Sequence, residues 1–267
     1  MPTWSPDQYL KFADERTRPC RELAARIDVV SVRRVIDIGC GPGNSTEVLA
    51  ARWPEAEITG LDNSAEMIGT AQKAQPGRRW VIGEIAEWAA RANGKEGGGK
   101  FDVVFSNAAL QWLPDHATLY PRLLARATPG GAFAAQIPCN FDAPAHEITR
   151  EITRLPAWRH RFPAGSLREW HAHDATFYYD VLAPHAARVD IWETEYLHVM
   201  PVAEALVEWY KGSGMRPFLD LLGGDAEHAE FTKEYLERIR VAYPPRPDGR
   251  VLFPVRRLFF VAYRGSS

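Results

Sequence analysis

The sequence predicts an α/β fold in which helices cover both faces of a mostly parallel sheet. Short apolar runs rich in β-branched residues recur at 35–38, 58–62, 80–83, 101–105 and 132–137, and amphipathic segments separate them. Strands that alternate with helices are typical of a parallel sheet. A glycine-rich turn follows the first run, as in nucleotide-binding βαβ units of Rossmann-like folds.

Length and composition indicate one globular domain with a full core. The chain has 267 residues, of which 46% are hydrophobic and 25% charged, and a net charge of -2 gives no indication of a nucleic-acid or membrane partner. The three cysteines, Cys20, Cys40 and Cys139, are scattered and form no CxxC pair, so we expect a reducing compartment and no metal site. Neither a signal peptide nor an apolar run of ~18 residues is visible, and we expect a cytoplasmic protein.

The glycine turn reads Asp37-x-Gly39-x-Gly41-x-Gly43. Glycines at these positions allow a sharp turn and a close approach of the backbone to a ligand. A dinucleotide fingerprint would place glycine where Asn44 stands, so the spacing disfavours a nicotinamide oxidoreductase. An acid before the first glycine suits a ligand that carries an ammonium group or ribose hydroxyls.

Helix starts are also visible in the sequence. Asn44 or Ser45 is expected to cap the helix after the glycine turn, and Ser64 to cap the next helix. Residues 6–28 are predicted to form two helical pieces, with Pro19 at the start of the second.

Polar side chains stand at the ends of four predicted strands: Asp37, Asp62, Glu84 and Asn107. Ligands of parallel sheets bind at the carboxyl ends of the strands, so these side chains are expected to line one site. Asp62 lies at the distance from the glycine turn that is typical of a ribose-binding carboxylate.

The pattern changes after residue 137. Residues 139–186 are rich in histidine, arginine, tryptophan and tyrosine, and two helices are predicted at about 202–212 and 225–243. These segments indicate an α-helical, aromatic cap. The whole chain is interpreted as one domain, with a ligand-binding core 30–138, cap elements 1–29, 139–186 and 201–250, and last strands 187–200 and 251–264.

Several segments together resemble the bacterial trans-aconitate 2-methyltransferases, a family of class I S-adenosylmethionine-dependent methyltransferases. The most specific is the stretch Asn107-Ala-x-Leu-Gln-Trp-Leu-Pro-Asp-His116. The similar segments span essentially the whole chain: 4–19, 39–46, 107–116, 178–182, 189–192, 214–217 and 257–259. Two features depart from the family, namely Glu84 in place of the usual Asp and an insertion at 94–100.

The resemblance implies S-adenosylmethionine as cofactor, no metal, and methyl transfer to a carboxylate of trans-aconitate or a related small polycarboxylate. Asp62 would accept the ribose hydroxyls, Glu84 the adenine amino group, and Met67 and Ile85 would flank the ring. The implied cofactor-binding residues are Arg16, Asp37, Gly39, Cys40, Gly41, Asn44, Asp62, Asn63, Met67, Glu84, Ile85, Asn107, Ala108 and Trp112.

The chemistry of the acceptor sets further expectations. A carboxylate is already ionised at pH 7, so no general base is expected and catalysis consists of orientation and electrostatics. A polyanion requires cationic partners for its spectator carboxylates, and arginine offers a bidentate fork. The expected acceptor-binding residues are Tyr9, Trp112, Tyr178, Tyr179, His198, Trp209, Arg216 and Arg257.

Two alternatives remain open at this point. A methyltransferase for another small acceptor, such as a phenol, would need a base, and His116 and His198 are the residues available for that role. A regulatory module would bind S-adenosylmethionine without turnover and would lack an acceptor pocket.

Overall fold

The computed structural model describes residues 13–91, 99–167 and 169–265, with side chains from Thr17 onwards. The strands are β1 (Arg34–Ile38), β2 (Glu57–Asp62), β3 (Arg79–Ile82), β4 (Phe101–Asn107), β5 (Ala127–Pro138), β6 (Arg188–Met200) and β7 (Val251–Tyr263). The helices are α1 (Ala13–Arg26), α2 (Asn44–Arg52), α3 (Ala65–Ala74), α4 (Ile85–Ala90), α5 (His116–Ala125), α6 (Pro144–Arg154), α7 (Ala175–Leu182), α8 (Ala203–Lys211), α9 (Arg216–Leu219) and α10 (Asp225–Ala242). Single 3-10 turns lie at Leu110–Trp112 and Ala183–His185.

The seven strands form one mixed sheet in the order β3-β2-β1-β4-β5-β7-β6. Strands β1 to β5 pair in parallel, and β7 pairs antiparallel to β5. The predicted α/β fold is therefore confirmed, and the predicted strands and the two late helices are found within a few residues of their expected bounds.

The chain divides into two compact units. The sheet unit comprises Ala13–Cys139, Trp170–Thr194 and Arg257–Ser267, and the described residues of the helical unit lie within Asn140–Glu169 and Glu195–Arg256. Each unit has its own hydrophobic core, built around Phe133 and Phe260 in the first and around Phe231 and Tyr235 in the second. The assignment of the whole chain to one domain with a cap stays a prediction.

The region before β1 differs from the expectation of two helical pieces. Its described part is one continuous helix, α1, with Pro19 inside it. A proline in a helix interior costs about 3 kcal/mol, but the stripe that follows is fully buried at Cys20, Leu23 and Ala24. Burial of this stripe offsets the cost, and the helix runs through the proline.

The described helices are also too short or too polar to cross a membrane.

Candidate active site

The side chain of Asp37 organises the turn at the end of β1. It is fully buried, and its Oδ2 accepts hydrogen bonds from Ser45 Oγ at 2.6 Å and Thr46 Oγ1 at 2.7 Å. Burial raises the pKa of Asp37 to about 6, although the two hydroxyls oppose the shift. No described residue donates to Oδ1. This oxygen is therefore available to a donor on a ligand.

The expected cap of α2 is wrong. The helix begins at Asn44, and its N-cap is Gly43, which makes no side-chain capping hydrogen bond. Ser45 lies inside the first turn, where its hydroxyl bonds to Asp37 rather than to the helix backbone. A hydroxyl beside a buried carboxylate makes a stronger, charge-assisted bond than it would make as a cap. The expected cap at Ser64 is confirmed, since its side chain accepts from Met67 N.

The glycine turn is fastened to the end of β2. The N–H groups of Gly39 and Cys40 both donate to the carbonyl of Leu61, at 2.7 and 3.1 Å, and Gly41 N donates to Asp62 Oδ2 at 2.9 Å. Gly39 has a φ of 73°, and a Cβ there would meet the Cβ of Ala109 at 2.2 Å. Only glycine fits at this position.

Space remains open beside the turn. A Cβ at Gly41 would meet no atom of the described chain within 4 Å, although the backbone there has a φ of 53°. The open side of Gly41 and the uncommitted oxygen of Asp37 both fit a ligand with a cationic amino group. The residues present therefore fit the methionine part of S-adenosylmethionine.

A side-chain hydrogen bond joins the residue after β2 to the residue that caps α4. Asp62 Oδ1 accepts from Ser64 N at 2.9 Å, and Asn63 Nδ2 donates to Glu84 Oε1 at 3.1 Å. Burial raises the pKa of Asp62, against the effect of its backbone hydrogen bonds. The buried side chains of Met67 and Ile85 stand in the first turns of α3 and α4. The sheet thus gathers the residues expected to hold the ribose and the adenine.

The segment after β4 is held by two buried amides. Ala108 has a φ of 56°, which is rare for a residue with a Cβ. Its N–H donates to the carbonyl of Gln136 at 2.9 Å, and its carbonyl accepts from Gln111 Nε2 at 2.7 Å. The side chain of Gln136 donates to Asn107 Oδ1 at 2.9 Å. Trp112 packs edge-to-face on Trp170, with ring centroids 5.1 Å apart.

Of the acceptor residues expected in the sheet unit, Tyr178 lies in the core. It is 0% exposed, and its ring stacks on Tyr120 and Phe260 in the core. Its hydroxyl bonds to His116 Nδ1 at 2.8 Å. The side chain thus serves the core in this structure, and the assignment of Tyr178 to the acceptor site stays a prediction. The neighbouring Tyr179 is 54% exposed.

Arg257, another acceptor residue expected in this unit, stands on β7. Its Nη1 donates to Gln136 Oε1 at 3.4 Å. The guanidinium is therefore joined through one amide to Asn107 at the end of β4.

Three further acceptor residues belong to the helical unit. His198 and Trp209 are buried there with ring centroids 4.8 Å apart. Arg216 begins α9 and forms an ion pair with Asp220, with Nε and Oδ1 separated by 2.8 Å.

His116 is a buried structural residue. Its Nε2 lies 3.0 Å from the carbonyl of Leu110, which can only accept, so Nε2 carries the proton and Nδ1 accepts from Tyr178. Burial lowers the pKa of His116 to about 4, so it is not a base that titrates near pH 7.

Some of the sequence predictions concern residues that the structure does not describe. Tyr9, most of the insertion at 94–100 and the side chain of Arg16 lie outside the described residues. In the part of the chain that the structure describes, no cluster of three or more histidine, cysteine or acidic side chains could hold a metal ion.

Comparison with known sequences decides the family. A family profile described as "Methyltransferase domain" matches residues 36–133. The trans-aconitate 2-methyltransferase of Azoarcus sp. strain BH72 is 48% identical over 99% of this chain and 100% of its own length. The enzyme of the same name from Rhodopseudomonas palustris strain BisB18 is 45% identical over 99% and 100% of the two chains. The chain belongs to the trans-aconitate 2-methyltransferase family.

Solved structures support the fold of this family member. The YcgJ protein of Bacillus subtilis matches 94% of this chain and 100% of its own, with a TM-score of 0.57 at 13% identity. A phosphoethanolamine N-methyltransferase of Haemonchus contortus, crystallised with S-adenosylhomocysteine, matches 94% of this chain and 52% of its own, with a TM-score of 0.54 at 15% identity.

Three residues that the sequence did not assign to this site join it in the structure. Ser45 and Thr46 hold Asp37, and Gln136 connects Asn107 with Arg257. A glutamine inside the apolar run of β5 is the only one of these signals that the sequence itself displays.

Proposed function

We propose that this protein transfers the methyl group of S-adenosylmethionine to one carboxylate of trans-aconitate, giving a methyl ester and S-adenosylhomocysteine. The observation that carries the proposal is full-length identity of 42–48% to trans-aconitate 2-methyltransferases. The grouping of polar side chains at the ends of β1 to β4 supports it.

The cofactor, when bound, supplies an electrophilic methyl group on its sulfonium. Asp62 accepts the ribose hydroxyls. Each of its carboxylate oxygens accepts one backbone N–H and has a second lone pair, which remains for a hydroxyl. Asp37 holds the start of α2 through one oxygen and accepts from the amino group of the methionine part through the other. Glu84 accepts from the adenine amino group.

The acceptor requires positioning rather than deprotonation. Its carboxylate, with a pKa of ~4, is ionised at neutral pH and would serve as the nucleophile without a base, with S-adenosylhomocysteine as the leaving group. Arg257 binds a spectator carboxylate, which leaves the attacking oxygen less neutralised and more nucleophilic. Arg216, in the helical unit, stays a predicted acceptor residue. Tyr179 is the tyrosine available to the acceptor, in place of Tyr178.

The low pKa of His116 speaks against the alternative with a basic residue. An acceptor such as a phenol would need a base that titrates near 7, and His116 is buried, hydrogen-bonded at both nitrogens and neutral. His198 is packed on Trp209 in the helical unit.

The deciding experiment is an assay with methyl-labelled S-adenosylmethionine and a panel of di- and tricarboxylates. We expect base-labile label on trans-aconitate, which is the behaviour of a methyl ester. A rate that stays level from pH 6 to pH 9 would support a carboxylate acceptor. No label on any carboxylate, or label that resists base, would refute the proposal.

A further inference from the structure

The amide of Gln136 lies between a residue proposed for the cofactor and a residue proposed for the acceptor. Gln136 is 1% exposed and sits near the end of β5, between β4 and β7. In the register of the sheet it faces Asn107 on one side and Phe259 on the other, and Arg257 is the diagonal neighbour two residues before Phe259.

Arg257 determines which way the amide of Gln136 faces. A guanidinium has donors and no acceptor, so the atom of Gln136 that lies 3.4 Å from Arg257 Nη1 must be the oxygen. The nitrogen then faces Asn107, 2.9 Å away, and Asn107 must offer its own oxygen to receive that hydrogen bond. The amide nitrogen of Asn107 is thereby directed away from Gln136.

The chain of hydrogen bonds thus has a single polarity. It directs the donor group of Asn107 away from Gln136 and holds one nitrogen of Arg257 beside the Gln136 oxygen. Buried amides are oriented by their partners in this way because an unmatched donor or acceptor costs free energy. Asn107 and Arg257, at the two ends of this series of hydrogen bonds, both carry N–H groups, which are the groups that carboxylates bind.

We propose that Gln136 is a positioning residue that prepares two N–H donors for two carboxylates, with Asn107 serving the carboxylate of the cofactor's methionine part and Arg257 a spectator carboxylate of the acceptor. The part of this inference that concerns Arg257 and the acceptor rests on the proposed function. The part that concerns Asn107 depends only on binding of the cofactor.

Gln136→Glu tests both parts. A carboxylate at this position pairs with Arg257 and neutralises it. It cannot donate to Asn107, whose amide must turn round, donate its NH2 group to the new carboxylate and direct its oxygen to the other side. We expect the KM for trans-aconitate to rise roughly tenfold or more, since a charge-assisted contact is lost. We expect a smaller rise in the Kd for S-adenosylhomocysteine, measured by calorimetry.

Two double variants separate these effects from simple damage. In an Arg257→Met background, Gln136→Glu should no longer raise the acceptor KM but should still weaken S-adenosylhomocysteine binding. In an Asn107→Ala background the reverse is expected. A rise in acceptor KM that is equal with and without Arg257, or both constants unchanged in folded Gln136→Glu, would overturn the inference.

Gln111→Glu is the matched control. Gln111 is also a buried amide beside Ala108, and the hydrogen bond described for its side chain goes to the carbonyl of Ala108. A purely structural role for Gln136 predicts that both glutamates lower thermal stability and kcat alike, without a split between the two ligands. If the parent enzyme methylates no carboxylate, the proposed function fails, and the calorimetric arm still tests the link to Asn107.

Discussion

The polar side chains at the strand ends of the sheet unit and the buried polar side chains of the helical unit are held in different ways. In the sheet unit, Asp62 binds the N–H groups of Gly41 and Ser64 at the ends of neighbouring strands. In the helical unit, Tyr210 bonds to His146 and Tyr235 to the carbonyl of Ala145, across helices far apart in the chain.

The difference shows which polar groups a repeating pattern can place. Parallel register brings every strand end to one edge, so a polar residue after an apolar run has a predictable location. Helix-to-helix hydrogen bonds follow no such period, because they depend on how the helices pack. Asp62 is a strand-end carboxylate whose place follows from strand register. Register predicts less about the arginines and tyrosines expected to bind the acceptor.

Asp62→Ala should have the largest effect. It removes the proposed acceptor of the ribose hydroxyls and also the anchor of the Gly41 N–H. We expect affinity for S-adenosylhomocysteine to fall roughly ten- to a hundredfold, measured by calorimetry.

Asp102→Ala is the matched control for Asp62. Its carboxylate also accepts two backbone N–H bonds, from Arg33 and Arg34, but at the opposite ends of the strands. It should lower stability without changing cofactor affinity. Equal loss of affinity in both variants would mean that Asp62 acts only on the fold.

Arg257→Lys and Arg216→Lys test the two arginines that the sequence predicts for the acceptor. Lysine keeps the charge but loses the bidentate fork, so we expect each change to raise the KM for trans-aconitate by about tenfold and that for S-adenosylmethionine far less. Steady-state kinetics with each substrate varied would measure both constants. If both folded variants methylate trans-aconitate as the parent does, the acceptor lies elsewhere.

Asp37→Asn should weaken cofactor binding and raise the stability of the fold. The unfolded carboxyl titrates near 3.8 and the folded one near 6, so the native state binds the proton more tightly. Stability from this group is therefore present below pH 3.8 and lost as pH rises to about 6. The variant lacks this loss, and its Tm advantage should grow across that interval and then level off.

A thermal series from pH 4 to pH 7.5 would measure this difference. About 1.4 kcal/mol per pKa unit sets its scale. A Tm difference that stays constant with pH would show that the Asp37 carboxyl titrates alike in both states. Calorimetry should find weaker S-adenosylhomocysteine binding, because a neutral amide attracts an ammonium group less.

Tyr178→Phe and Tyr179→Phe form the smallest and sharpest pair. The first leaves His116 Nδ1 without its buried donor and should cost about 1–3 kcal/mol of stability with little change in acceptor KM. The second should leave stability unchanged and raise the acceptor KM a few-fold. The opposite result would assign Tyr178 rather than Tyr179 to the acceptor site.

The sequence was sufficient for the sheet and for the positions of the polar residues at its strand ends. The acids of β1 and β2 and the last residue of β4 stand where their apolar runs end, and register alone brings them to one edge. It was not sufficient for Tyr178, because the adjacent Tyr179 has the same chemistry and the sequence does not show which of the two faces the core. Nor did it find the role of Ser45, whose hydroxyl suits a helix cap equally well.

The place of β7 in the sheet has a consequence for folding during synthesis. β7 lies between β5 and β6, yet of these strands it leaves the ribosome last. Until it emerges, β6 has no neighbour to pair with and β5 keeps an open edge, and unpaired strand edges favour aggregation. Completion of the sheet must therefore wait for contacts between residues more than a hundred positions apart, such as Ala132 with Tyr263. Nascent chains stalled before β7 should be markedly more dependent on chaperones than released ones.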